Sequence, residues 1–221
     1  MTALHPDDVT LVVIAKEPVA GRVKTRLCPP CTPTQAAAIA GAALHDTIAA
    51  VQAARVGRRV LALEGRSGAW VPDALEVVAQ RGDGLDQRLA AVAADVAGPV
   101  VIIGMDTPQV RVAQLDRIVA ELCRDDVDAV LGPADDGGYW VIALATPDPL
   151  AVLGVPMSTD VTGAAQLQRL RELGLRTSVV DPLCDVDTFD EALQVAQLVP
   201  GSRFGGEVAR VHAAIAVPAD D

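Results

Sequence analysis

Four cations stand within 11 residues near the start of the chain, in Lys16-Glu-Pro-Val-Ala-Gly21-Arg22-Val-Lys24-Thr25-Arg26-Leu27. Lysine offers a compact point charge, and arginine a planar fork that binds phosphate oxygens in pairs. Gly21 permits a tight turn or a close backbone approach to a ligand. Lys16, Arg22, Lys24 and Arg26 can together neutralise a di- or triphosphate. The plain alternative is a solvated basic loop that offsets neighbouring acids. Against 29 acidic and 18 basic residues and a net charge of −11, the concentration favours phosphate. The loop is not a Walker A motif, and no Gly-x-Gly-x-x-Gly follows a strand, which argues against an ordinary dinucleotide-binding dehydrogenase.

The complementary acids come later. Asp106 follows Val-Val-Ile-Ile-Gly-Met, and Asp185 and Asp187 stand in Cys-Asp-Val-Asp-Thr. Carboxylates from separated strand ends can meet at one Mg²⁺ or Mn²⁺, with phosphate oxygens completing the shell. Each also precedes a helical segment, so capping is the structural rival. In Asp135-Asp136-Gly137-Gly138-Tyr139, two glycines after two acids suit a tight turn. Its functional reading is a loop whose backbone at Gly137 and Gly138 approaches a ligand, with Asp135 or Asp136 on an acceptor hydroxyl or metal-bound water.

Smaller signals lead to less. Cys28-Pro-Pro-Cys31 can be redox-active or half of a zinc site, but no second Cys-x-x-Cys exists and the three histidines are scattered. A structural pair is the simpler reading. Hydrolase triads lack their Gly-x-Ser-x-Gly elbow. Trp70 and Trp140 read as packing residues.

Elements that place these residues can be read from the aliphatic runs. Strands are expected at 9–15, 59–63, 75–79, 100–104, 129–131, 139–144 and 175–180. Helices are expected at 34–55, 84–97, 113–124, 160–173 and 188–198, with a short helix after Ser202 that frays toward the end. Strands alternating with helices argue for right-handed crossovers on a largely parallel sheet, whose ligands sit beyond the carboxyl ends of the strands. The informative loops are those just after strands, which is where the cations and aspartates fall.

The bulk numbers fit this. A chain of 221 residues with 51% hydrophobic and 2% aromatic content must build its core from Val, Leu, Ile and Ala, as buried parallel strands do. One domain over 1–221 is expected, with its core at about 9–198 and a tail at 199–221. The acidic balance excludes a general nucleic-acid binder. No basic leader segment and no run of roughly 20 apolar residues is evident, and a cytoplasmic location is the simplest expectation. Oligomeric state is not legible.

The four motifs, in this order, resemble the DUF2064 family, also called the radical-SAM/selenodomain-associated transferase 1 family. The likeness runs from about Val9 to Leu198. It implies a GT-A-like, Rossmann-type α/β sandwich of the nucleotide-diphospho-sugar transferase superfamily, metal dependence on Mg²⁺ or Mn²⁺, and a nucleotide or nucleotide-sugar substrate with a small-molecule acceptor. The layout is more distantly similar to 2-phospholactate guanylyltransferase and the molybdenum cofactor nucleotidyltransferases. By that likeness Lys16, Arg22, Lys24 and Arg26, with Gly21 and Thr25, match the phosphate loop. Asp106 and Asp187 match the metal-binding acids. Arg88, in Leu-Asp-Gln-Arg-Leu, aligns with a segment that usually reads Leu-Gly-Glu-Arg. Met105, Asp86 and Met157 depart from the common Ser, Gly and Trp. Three readings follow: a nucleotidyltransferase with Lys24, Arg26, Asp106 and Asp136 in catalysis, a glycosyltransferase, and a non-catalytic nucleotide-binding module.

Overall fold

The computed structural model describes residues 4–216. Seven strands form one sheet: β1 (Thr10–Lys16), β2 (Arg58–Glu64), β3 (Glu76–Ala79), β4 (Val100–Gly104), β5 (Ala129–Pro133), β6 (Tyr139–Leu144) and β7 (Thr177–Val179). Their spatial order is β3-β2-β1-β4-β6-β5-β7. All neighbours are parallel except β6, which runs antiparallel to both β4 and β5. This is the α/β, GT-A-like Rossmann-type sandwich with a mostly parallel sheet that the sequence implies. The antiparallel strand follows from the short Ala134–Gly138 connection, which cannot span a parallel crossover.

Six helices connect or cover the sheet: α1 (Pro33–Ala53), α2 (Leu85–Asp95), α3 (Val112–Leu122), α4 (Thr162–Glu172), α5 (Phe189–Leu198) and α6 (Arg203–Ala216). Between Thr10 and Lys16, β1 is an unbroken aliphatic run because both its faces are covered. Leu11, Val13 and Ala15 face α1 and α3, while Val12 faces the α2 and α4 side. A third cluster joins Leu27, Cys31 and Ile39 to Phe189, Phe204 and Val208.

Two expectations change here. The segment after Ser202 is a 14-residue helix rather than a short one. Phe204, Val208 and Val211 bury its apolar stripe against α1 and α5, so packing holds it. The expected fraying falls at 217–221, outside the described residues. In addition, α1 is by length and composition a 21-residue candidate for crossing a bilayer. Its apolarity has a local cause, since Ile39, Leu44, Ile48 and Val51 are buried against the rest of the protein.

β1 lies between β2 and β4, so the strand order reverses between β1 and β4. Crevices for ligands open at such switch points, beyond the carboxyl ends. The cationic loop leaves β1 there and Asp106 leaves β4.

Candidate functional site

Lys24 begins a short 3₁₀ turn, Thr25–Leu27, in left-handed backbone conformation with φ 46°. Leu27 is fully buried in the cluster under α5 and α6, and this anchors the turn. The Lys24 ammonium lies 2.9 Å from Asp106 Oδ2 and 2.9 Å from Asp187 Oδ1. Arg26 reaches the other Asp187 oxygen at 2.7 Å. Residues 24 and 187 thus meet across 163 positions of the chain.

Backbone bonds fix the acidic loops to one another. Val186 N–H donates to Asp106 O at 3.0 Å, Asp135 N–H to Leu183 O at 3.1 Å, and Leu183 N–H to Pro133 O at 3.2 Å. Trp140 contributes its indole N–H to Asp181 O at 3.2 Å, so it braces this loop as well as packing in the core. None of the three aspartates caps a helix. Thr188 is the N-cap of α5, in a capping box with Glu191, whose carboxylate also accepts from Asp187 N–H at 2.9 Å. For α3 the cap falls at Arg111, five residues beyond Asp106.

Asp136, Asp185 and Asp187 each place a carboxylate oxygen within 4.8 Å of the others. Hard oxygen donors at this spacing suit Mg²⁺ or Mn²⁺. Among the described residues no cation lies within salt-bridge distance of Asp136 or Asp185. Burial, then the charges of Asp136 and Asp187, push the Asp185 carboxyl up to about 6. For Asp187 burial also opposes ionisation, but Lys24 and Arg26 outweigh it and lower the pKa. Burial likewise opposes the Lys24 charge and is overcome by Asp106 and Asp187, which raise its pKa. The donor set therefore fits a divalent ion: three clustered carboxylates, one of them raised in pKa by burial and by the charges of the other two.

A second polar group gathers at the ends of β1, β2 and β3. Glu64 pairs with Arg88 and, at 3.5 Å, with Lys16. Although burial opposes it, Arg88 and Lys16 keep the Glu64 carboxyl below its usual value. Gln80 donates to Ala15 O at 2.7 Å and Ala62 O at 2.8 Å, joining the strand ends. Lys16 and Arg88 thus belong to this group rather than to the aspartate cluster. Arg22 and Thr25 are exposed on the loop, and Gly21 turns it at φ 76°.

The second glycine pair is used internally. A Cβ on Gly137 would lie 2.0 Å from Asp160 O, and Gly163 N–H donates to Gly137 O at 2.8 Å. Gly138 N–H caps the Asp136 carboxylate at 2.7 Å. These glycines let the turn approach the start of α4, while Asp135 and Asp136 remain exposed. The departures from the family pattern also have partners: Met105 Sδ accepts from Lys16 N–H, Asp86 from Gly154 N–H, and Met157 Sδ contacts the Tyr139 hydroxyl. Glu64 and Gln80 were missed by sequence reading. Their only signal is a polar residue at or just after the end of a strand.

A mostly parallel sheet of this order, with cations and acids gathered at its switch point, is a Rossmann-type α/β sandwich of the GT-A kind. Solved structures share it. A proposed nucleotide-diphospho-sugar transferase from Desulfovibrio desulfuricans superposes with TM-score 0.84 at 21% identity, covering 94% of this chain and 96% of its own. A nucleotidyl transferase from Methanothermobacter gives 0.60 at 18%, over 85% and 95%. Rv0371c from Mycobacterium tuberculosis, in complex with manganese, gives 0.54 at 24%, over 85% and 97%. No curated protein matches the chain in sequence. Residues 47–159 match the DUF2064 family, described as an uncharacterized protein conserved in bacteria. The chain belongs to that family. The matched segment carries Arg88, Asp106, Asp135 and Asp136, while the cationic loop and Asp187 lie outside it.

Proposed function

We propose that this protein is a metal-dependent transferase of nucleotide substrates, and specifically a nucleotidyltransferase that moves a nucleoside monophosphate from a nucleoside triphosphate to a phosphorylated acceptor. One observation carries the reading: Lys24 and Arg26 converge with Asp106 and Asp187 beside the uncompensated Asp136 and Asp185, at the switch point of the sheet. A Mg²⁺ or Mn²⁺ held by Asp187 with Asp106, Asp185 or Asp136 supplies charge neutralisation at the phosphate under attack. Lys24 and Arg26 act on the same charge from the loop side, and Lys16 and Arg22 extend the cationic track for a departing pyrophosphate. An acceptor phosphate is already anionic near neutral pH, so no group need remove its proton. Asp136 then serves as a ligand or as an orienting carboxylate.

Glycosyl transfer from a nucleoside-diphosphate sugar is the second reading, favoured by the exposed Asp135 and Asp136, either of which can take a proton from an acceptor hydroxyl. A cytoplasmic location accords with either nucleotide substrate. The test incubates the protein with each nucleoside triphosphate, Mg²⁺ or Mn²⁺ and a pool of phosphorylated metabolites, and follows pyrophosphate. A parallel series with sugar nucleotides follows nucleoside diphosphate. Metal-dependent pyrophosphate supports the first reading, and nucleoside diphosphate the second. Tight nucleotide binding without turnover in both series would leave a non-catalytic binding module.

A further inference from the structure

We propose that the Lys24 ammonium holds the place of the divalent ion between Asp106 and Asp187, and that it moves from these carboxylates to the substrate phosphates when the ion arrives. This rests on the transferase reading and adds a device to it. The chain has two lysines, Lys16 and Lys24, both in the cationic loop. They sit differently. The Lys16 side chain is 54% exposed, while that of Lys24 is 10% exposed, although long lysine stems ordinarily carry their charge to water. Its single ammonium bridges two carboxylates that arrive from the ends of different elements. Its backbone is left-handed, a conformation that costs a non-glycine residue and persists where surrounding structure demands it.

The ammonium's N–O distances of 2.9 Å are those of an ion pair. Mg²⁺–oxygen distances are about 2.0–2.1 Å. A metal between Asp106 and Asp187 would draw the two carboxylates inward onto the point where the ammonium sits, and two cations cannot share it. Charge balance couples the two ligands. Asp106, Asp136, Asp185 and Asp187 stand against Lys24 and Arg26, so a polyphosphate entering alone meets a site of excess negative charge. A divalent ion cancels that excess, and the ammonium it releases finds phosphate oxygens. Metal and polyphosphate should therefore strengthen one another, a coupling that must be reciprocal. Asp136 and Asp185, which make no salt bridge among the described residues, offer the ion its first contacts, their carboxylate oxygens lying within 4.8 Å of that of Asp187.

The test uses the intact protein, Mn²⁺ and inorganic tripolyphosphate, which needs no knowledge of the base. Brief acetylation followed by peptide mass spectrometry reads Lys24 against Lys16 as an internal control. Without metal Lys24 should react about tenfold more slowly than Lys16. Saturating Mn²⁺ should raise the Lys24 rate several-fold and leave Lys16 unchanged, and added tripolyphosphate should protect Lys24 again. In ultrafiltration the Lys24→Met protein should retain Mn²⁺ alone about tenfold more tightly than wild type, a coupling of ordinary size, and should lose the gain that tripolyphosphate gives. The acetylation arm on wild type does not depend on the variant folding. If Mn²⁺ is retained while Lys24 stays slow to react, the ion sits elsewhere and the displacement is overturned, with the transferase reading intact. If neither protein retains Mn²⁺, with or without tripolyphosphate, the transferase reading falls and takes the displacement with it.

Discussion

Replacing Asp185 by Asn should stabilise the metal-free protein at neutral pH while weakening its hold on metal. The Asp185 carboxyl is pushed up to about 6 by burial and by the neighbouring charges of Asp136 and Asp187. In the unfolded chain an aspartate titrates near pH 3.9. Between those values the folded protein keeps a proton that the unfolded chain has lost, so stability falls as pH rises from about 4 to 6 and the full cost stands at pH 7. Taken at 1.36 kcal/mol per pH unit, the displacement corresponds to about 3 kcal/mol. Because the group is partly exposed, solvent screening reduces this to roughly 1–2 kcal/mol. Asn keeps the shape of Asp185 and carries no charge, so it removes the cost. For a protein of this size the gain should appear as a rise in Tm of roughly 2–8 °C at pH 7 and almost none at pH 4. Thermal melts of wild type and Asp185→Asn at half-unit steps from pH 4 to 8, with a chelator present, measure it. A Tm difference that does not change with pH, or a variant less stable than wild type at pH 7, would refute the reasoning.

Other perturbations test different parts of the argument. Asp106→Asn should lower turnover about 100-fold or more, as loss of a group that stabilises transition-state charge does, while its Tm stays close to wild type because Lys24 retains Asp187; unchanged pyrophosphate release would remove Asp106 from the mechanism. Gly137→Ala places a Cβ against Asp160 O at φ 90° and should cost about 3 kcal/mol, read as a drop in Tm together with weaker Mn²⁺ retention as the Asp136 turn shifts. Phe204→Ala, at a fully buried position, should cost about 3–5 kcal/mol in denaturant titration. A cost below 1 kcal/mol would mean that α6 is dispensable. Gln80→Ala should cost about 1–3 kcal/mol, since Ala15 O and Ala62 O lose a shared donor.

Much of the architecture was legible because its signals are local. Seven aliphatic runs matched seven strands to within two residues at each end, and punctuation by Gly, Pro and Asp marked the loops between them. Leu11–Ala15 of β1 read as a continuous aliphatic run because helices cover both faces of the strand, and the Ala134–Gly138 segment reads as a tight turn from two glycines after two acids. Order along the chain also placed the cations and Asp106 after strands, which a right-handed parallel sheet gathers at one edge. The amphipathic stripe of α6 was less plain, since Phe204, Val208 and Val211 become meaningful only when α1 and α5 offer a surface for them.

By itself, then, the sequence determined the fold class and the family and singled out a set of candidate residues for phosphate and metal, since composition, periodicity and motif order are carried by neighbours in the chain. Only the tertiary structure decided how that set divides. Lys24 and Arg26 went to Asp187, Lys16 and Arg88 went to Glu64, and Asp185 was left crowded beside Asp136 with no salt bridge among the described residues. Such partnerships join residues up to 163 positions apart. They depend on distances of a few ångströms and on exclusion of water, which no spacing along a chain encodes.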